Sequence, residues 1–409
     1  MKVKTILALL LLFCFSVTTI AQTKPAAPPE PQKKAEDTDD DVVRITTNLV
    51  QVDAVVTKGG KMVTNLTADD FEIYEDGRKQ TITSFAYISN VPSAPAGLAP
   101  EKGKAIDVVP VSPVKRDDVR RTVALVVDDL GLSAESVMQV KKQLRKFITE
   151  ELSPNDLVAV IRTSGELGAL QQFTNDKRIL SRAVDRVRWN ACSRAGVSVL
   201  PRLQVISSQF EDPELSCGGG SYYGTMKALR FIIDAMGQLP GRKSMVILSD
   251  SLPVESQEIK FESPELNAIS NTTRFPGLLQ RIAEKAIRAS VVIYAVDTQG
   301  LQYTGITAAD SMPLTRQTMN ASINNVMSTR AALLWRRSEG GQLISRQTGG
   351  FQVRNSNSFE LDRIMEDQNG YYLIGYRPTT ETFNRKFHHI KAKVKRSGMT
   401  VRTRFGFLG

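Results

Sequence analysis

In ALVVDDLGLSAES, residues 124–136, two aspartates follow directly on an apolar run. Carboxylates are costly at the end of a buried strand unless they are paired or hydrogen-bonded. A further acid, Asp250, ends the similar run MVILS at residues 245–249. In an open parallel sheet, ligands bind beyond the carboxyl ends of the strands, near the point where strand order reverses. Asp128 and Asp250 can meet there. Asp129, Ser133, Ser221 and Thr225 offer further oxygens from adjoining loops or helix starts. Magnesium or manganese suits such a set, because each takes oxygen ligands, few of them carboxylates, with water for the rest. A second reading needs no metal. Acids near a helix N-terminus are favoured by its dipole, so Asp128 and Asp129 cap the following helix or are simply hydrogen-bonded or solvated.

Other chemistries find little support. The chain has two histidines, His388 and His389, adjacent in a strand-like run with no nucleophile motif nearby, which argues against a Ser-His-Asp set. There is no HExxH and no zinc-spaced cysteine set. The glycines of CGGGSYYGTMK lack the Gly-Lys-Ser/Thr ending of a phosphate loop. The expectation is a protein that is not an enzyme. Arg242 and Lys243 read as a solvated turn, Asp297 as structural, and Tyr371, Tyr372 and Tyr376 as strand packing.

The elements that would position the acids follow from periodicity. VALVV, DLVAVIRT, SMVILSD and VVIYAVD are apolar strands. They alternate with amphipathic helices such as SVMQVKKQLRKFITEEL, whose Val137, Val140, Leu144, Phe147 and Ile148 share one face. This alternation predicts an α/β fold: a doubly wound, mainly parallel, Rossmann-like sheet covered on both faces, over residues 119–370. Insertions at about 189–221 and 299–340 interrupt it. Residues 43–93 alternate in period two, with Val50, Val52, Ala54 and Val56 on one face, and form a small antiparallel β domain. Residues 371–409 return to β, with Ile390, Ala392 and Val394 opposite Lys391, Lys393 and Lys395. Both β segments are small, so they are expected to share a core beside the α/β domain.

The remaining segments are spacers. Residues 22–42 and 94–118 are proline-rich linkers. Residues 1–21 read as a secretory signal peptide: Lys2 and Lys4, an apolar stretch, then a small-residue cleavage site. Its removal takes the net charge from +10 to +8, the difference being Lys2 and Lys4. The mature chain is expected to be exported, periplasmic or extracellular, with no transmembrane span. Cys192 and Cys217 are then expected to form a disulfide closing a loop of about 25 residues, the alternative being two free thiols.

The order of these stretches resembles a von Willebrand factor type A (VWA) domain. More closely, LTADDFEIYEDG, VALVVDDLGLS, LPGRKSMVILSDS, ASVVIYAVDTQGL, RQTGGF and YYLIGYRP with the tail resemble the VWFA-related proteins of the acidobacterial type. The resemblance implies a metal-ion-dependent adhesion site (MIDAS) that docks a protein ligand over the carboxyl ends of the strands. Asp128 matches its first aspartate, but Leu130 and Leu132 stand where its two serines belong, and Ser133 falls one position late. Ser221 or Thr225 stands for its threonine, and Ser251 follows Asp250 where glycine is usual. The site is thus degenerate, and both readings of the acids stay open. An unknown protein ligand is the expected partner. A metal-free structural or assembly module of the cell envelope is the rival. The tail has eight Lys or Arg between Arg385 and Arg404 and no acid, which suits acidic envelope polymers. Nucleic acid is not expected.

Overall fold

The computed structural model describes residues 49–90, 119–165, 172–194, 220–252, 254, 276–306, 316–378, 382 and 384–409. The expected signal peptide, both spacers, Cys217 and most of the first insertion lie outside these. So does the side chain of Ser221.

The chain starts with strands β1 (Val50–Lys58), β2 (Lys61–Met62), β3 (Phe71–Glu75), β4 (Arg78–Gln80) and β5 (Ile82–Ser89). The α/β part follows: β6 (Arg121–Val127), α1 (Ala134–Lys146), β7 (Asp156–Arg162), α2 (Lys177–Asp185), α3 (Gly220–Gly237), β8 (Arg242–Ser249), α4 (Pro276–Arg288), β9 (Val291–Asp297), α5 (Arg316–Gln347), β10 (Gln352–Val353) and α6 (Leu361–Asp367). Strands β11 (Gly370–Tyr376), β12 (Phe387–Val394), β13 (Thr400–Thr403) and β14 (Gly406–Leu408) close the chain.

Strands β7, β6, β8, β9 and β10 lie side by side in that order, all parallel. All seven residues of β6 are buried, as a strand covered on both faces requires. One face packs on α1, α2 and α6 through Val140, Leu144, Leu180, Val184 and Ile364. The other packs on α3, α4 and α5 through Leu229, Ile233, Leu279, Ala283 and Ile344. The sheet is therefore doubly wound, and strand order reverses between β6 and β8. The crevice of such a fold opens at the carboxyl ends of those two strands. Asp128 follows β6 and Asp250 follows β8.

The two β segments do not stand apart at the ends. β1 pairs with β11 and β13, and β11 with β5. β12 pairs with β3 and β14. Val50, Val52, Ala54 and Val56 share one core with Tyr372, Ile374, Tyr376 and Ile390. The shared core follows from size, since neither segment alone has two faces to close. Tyr372 and Tyr376 are core residues, while Tyr371 stacks under the Arg242 guanidinium at 4.4 Å. Arg242 is therefore not merely a solvated turn residue. The second insertion, expected at about 299–340, carries most of the long helix α5. Among the described residues, no helix is long and apolar enough to cross a membrane.

Candidate functional site at the carboxyl edge of the parallel sheet

Asp128 leaves β6 with its backbone N–H bonded to the Leu248 carbonyl of β8, and its side chain is fully buried. Donors surround the carboxylate. Thr225 Oγ1, from the first turns of α3, donates to Oδ1 at 2.6 Å, and Thr163 Oγ1 lies 2.9 Å from the same oxygen. Ser249 Oγ lies 2.7 Å from Oδ2, and Arg194 Nη2 donates to Oδ2 at 2.6 Å. An ionised carboxylate offers about four lone-pair positions, so these partners use its whole capacity.

Arg194 reaches the site from the first insertion. Its backbone N–H bonds to the Leu130 carbonyl, and Ser193 Oγ bonds to the Leu132 carbonyl. Its Nη1 donates to Thr225 Oγ1 at 3.0 Å and its Nη2 to the Ser251 carbonyl at 2.8 Å. The Arg194 and Asp128 side chains are 4% and 0% exposed. Gly131 makes the approach possible. A Cβ there would lie 2.3 Å from Asp128 Oδ2 and 2.5 Å from Arg194 Nη2. Two residues before Arg194, Cys192 is disulfide-bonded.

Asp129 Oδ1 lies 3.1 Å from Thr163 Oγ1, the hydroxyl that also reaches Asp128, and its other partners are at the end of β7. Asp129 accepts from the Ser164 N–H at 2.9 Å and from the Ser164 hydroxyl, and Arg162 lies 3.8 Å away. The expectation that Asp128 and Asp129 cap the next helix is corrected here. Ser133 is the N-cap of α1, accepting from the Ser136 N–H at 3.1 Å. The Ser133 N–H donates to Asp250 Oδ2 at 2.8 Å, so Asp250 is the acid that meets this helix end. Thr298 donates to its other oxygen. Burial pushes the Asp250 carboxyl above the ordinary carboxylate range, against those hydrogen bonds. Asp297, at the end of β9, is pushed up to about 7, chiefly by burial and further by the Asp250 charge. The half-buried Arg337 guanidinium faces both Asp250 and Asp297.

Each acid of this edge thus has an arginine beside it. A divalent ion needs oxygen ligands at about 2.1 Å for magnesium, with water completing the octahedron. Beside the touching Asp128 and Thr225 side chains lies the Arg194 guanidinium, bonded to both, and an ion there would meet positive charge. The Ser133 hydroxyl is committed to its helix. With Arg194 in this position, the residues do not fit a divalent ion.

The structure brings Asp128 and Thr225 into contact, and separately Ser133 and Asp250. Asp129 sits on the β7 side. Sequence reasoning missed Arg194, Thr163, Ser164, Ser249, Thr298 and Arg337. Thr163 and Ser164 were legible as hydroxyls following the second apolar strand, β7. Arg194 carried no signal beyond lying two residues from a cysteine.

Neither a protein-family model nor a curated protein matches the chain. Among solved structures, it is similar to an aerotolerance-related membrane protein from Bacteroides fragilis, at 12% identity and a TM-score of 0.32, over 61% of this chain and 98% of that one. It is also similar to the conserved hypothetical protein BatB from Bacteroides thetaiotaomicron, at 11% identity and 0.30, over 61% and 96%. The human COPII-coat protein Sec24c follows at 8% and 0.27, over 71% and 43%. At TM-scores this low, the architecture rests on strand order and register alone.

Proposed function

We propose that the chain is an exported VWA-type module that binds a protein partner over the carboxyl edge of its parallel sheet, without a metal ion and without catalysis. The Arg194–Asp128 pair carries this reading. It puts a permanent positive charge, fixed by covalent chemistry, where the resembling family holds a divalent cation. The sequence signature of that family persists at Asp128, Thr225 and Asp250, so the architecture is kept while the cation is changed.

Three observations support the reading, one each for binding, for the absence of catalysis and for export. Tyr223, Leu301, Tyr303 and Trp335 are exposed on elements that leave this edge. Large aromatic and aliphatic side chains around a polar centre have the composition of protein-recognition surfaces. Both histidines lie on β12 in the antiparallel part, away from the crevice, so no imidazole base serves this edge. The disulfide at Cys192 favours an oxidising compartment.

Site-specific photo-crosslinking tests the reading. A crosslinking amino acid in place of Tyr303 should trap one discrete partner, and trapping should persist in chelator. The same amino acid in place of Met138, exposed on α1, should trap none. Equal trapping from both positions, or loss in chelator, contradicts the proposal.

A further inference from the structure

A second surface borders the carboxyl edge and meets it at Arg354, whose guanidinium lies 5.7 Å from the Trp335 ring and bonds the Ser338 hydroxyl at 3.3 Å. The loop after α5 and strands β12 and β13 enclose a cleft of about 1020 Å³. Its lining includes Arg346, Arg354, His389, Lys391, Lys393 and Arg402, and not one Asp or Glu. Arg402 is already engaged, bonded to Asp367 and stacked on the Phe351 ring at 5.0 Å. Arg346, Arg354, Lys391 and Lys393 are exposed, and no ion pair holds any of them among the described residues. The one acid on the neighbouring strand face is Glu72, cross-strand from Lys393. It does not line the cleft and is held by Lys79 at 2.7 Å.

Clustered cations repel one another, and a fold places them together at no benefit to its own stability. Lysines on an edge strand also discourage aggregation, but that role does not need the arginines that face them from the α/β part. The geometry selects an occupant. Lys391 and Lys393 stand two residues apart on one strand face, a repeat of about 6.7 Å along the strand. Alternate carboxylates of an extended polypeptide repeat at the same interval. Arg346 and Arg354 supply planar donors from the opposite wall, suited to carboxylates in two-point contact. Tyr74 and Phe405 add aromatic surface to the lining.

We propose that this cleft binds an extended acidic polypeptide segment with carboxylates at alternate positions. Lys391 and Lys393 lie on β12, off the parallel sheet, so the loss expected in that pair tests this cleft and not the proposal for the carboxyl edge.

The test uses the full mature chain and a short fluorescein-labelled peptide of alternating Asp and Thr, read by fluorescence polarisation at low and at high salt. A peptide of the same composition with its aspartates clustered in one block is the register control, and polyglucuronate is the glycan competitor. The alternating peptide should bind about ten-fold more tightly than the clustered one, and more weakly at high salt. The pairs Lys391→Gln with Lys393→Gln, and Arg346→Gln with Arg354→Gln, should each lose about ten-fold or more. All four are exposed side chains, and circular dichroism checks that the variants fold. Tyr303→Asp at the other site should leave this binding unchanged. Equal binding of the two peptides, or binding unchanged in both variant pairs, overturns the proposal. So does tighter binding of polyglucuronate that is lost in the same variants, since the cleft would then be a glycan site.

Discussion

Arg194 and Asp128 form an ion pair from which water is excluded on both sides. Such a pair contributes little by its mere presence, because two charges have been desolvated to make it. Removing one partner is another matter, since the other is left buried and unpaired. Arg194→Ala is expected to destabilise the fold by about 3–5 kcal/mol in urea unfolding. Replacing both, as Arg194→Met with Asp128→Leu, should recover most of that loss. A double variant no more stable than Arg194→Ala would show that the pair is not the coupled unit described. Asp297 gives a second residue-scale expectation. Its carboxyl titrates near 3.8 when unfolded and about 7 when folded. The native state therefore holds the extra proton between those values, and stability falls as pH rises through that window. Asp297→Asn should flatten this part of the Tm–pH profile and raise stability at pH values above 7, by no more than about 4 kcal/mol, read as a higher Tm. An unchanged profile would refute the assignment.

At the scale of elements, the site depends on a close approach and a cap. Gly131→Ala places a methyl within 3 Å of Asp128, Arg194 and Ser249. All three are buried, so none moves aside cheaply, and a cost of about 1–3 kcal/mol is expected. Calorimetry showing wild-type stability for this variant would mean that the guanidinium does not sit where described. Strands and the helices that pack on them were legible because their apolar periods are local. The acids were legible because they end those strands. Arg194 was not, since it bonds Asp128 across 66 positions and arrives through an insertion with no period of its own. Helix α5 was only partly legible for the same kind of reason: its polar and apolar residues do not segregate to one face, and close approaches hold it in place. Gly340 lies against the Leu252 carbonyl and Gly341 against Ala295.

For the molecule as a whole, the β segments close around one core whose strands come from both ends of the described chain. β11 sits between β1 and β5, so the N-terminal strands are held by a C-terminal one. Period-two faces made this shared core legible, although not the interleaved order of strands. Deleting residues 371–409 should unfold the N-terminal strands as well, exposing residues 49–90 to protease while the α/β part keeps its helical signal. Protection of residues 49–90 in that truncation would contradict the pairing. The β unit is also anchored to the parallel sheet. Arg242 donates to the Gly370 carbonyl, and Arg402 reaches Asp367, which also accepts from the buried Tyr294 hydroxyl.

The central claim is that a guanidinium holds the position of a cation at the carboxyl edge. Manganese binding, followed by electron paramagnetic resonance on the purified chain, tests it most directly. Wild-type protein should show no site-specific manganese, and Arg194→Lys should behave the same way. Arg194→Gln, which keeps the volume and removes the charge, should gain a single manganese that is lost again when Asp128→Asn is added. Manganese bound one-to-one by the wild-type chain and lost in Asp128→Asn would contradict the account. So would an Arg194→Gln variant that folds and binds none.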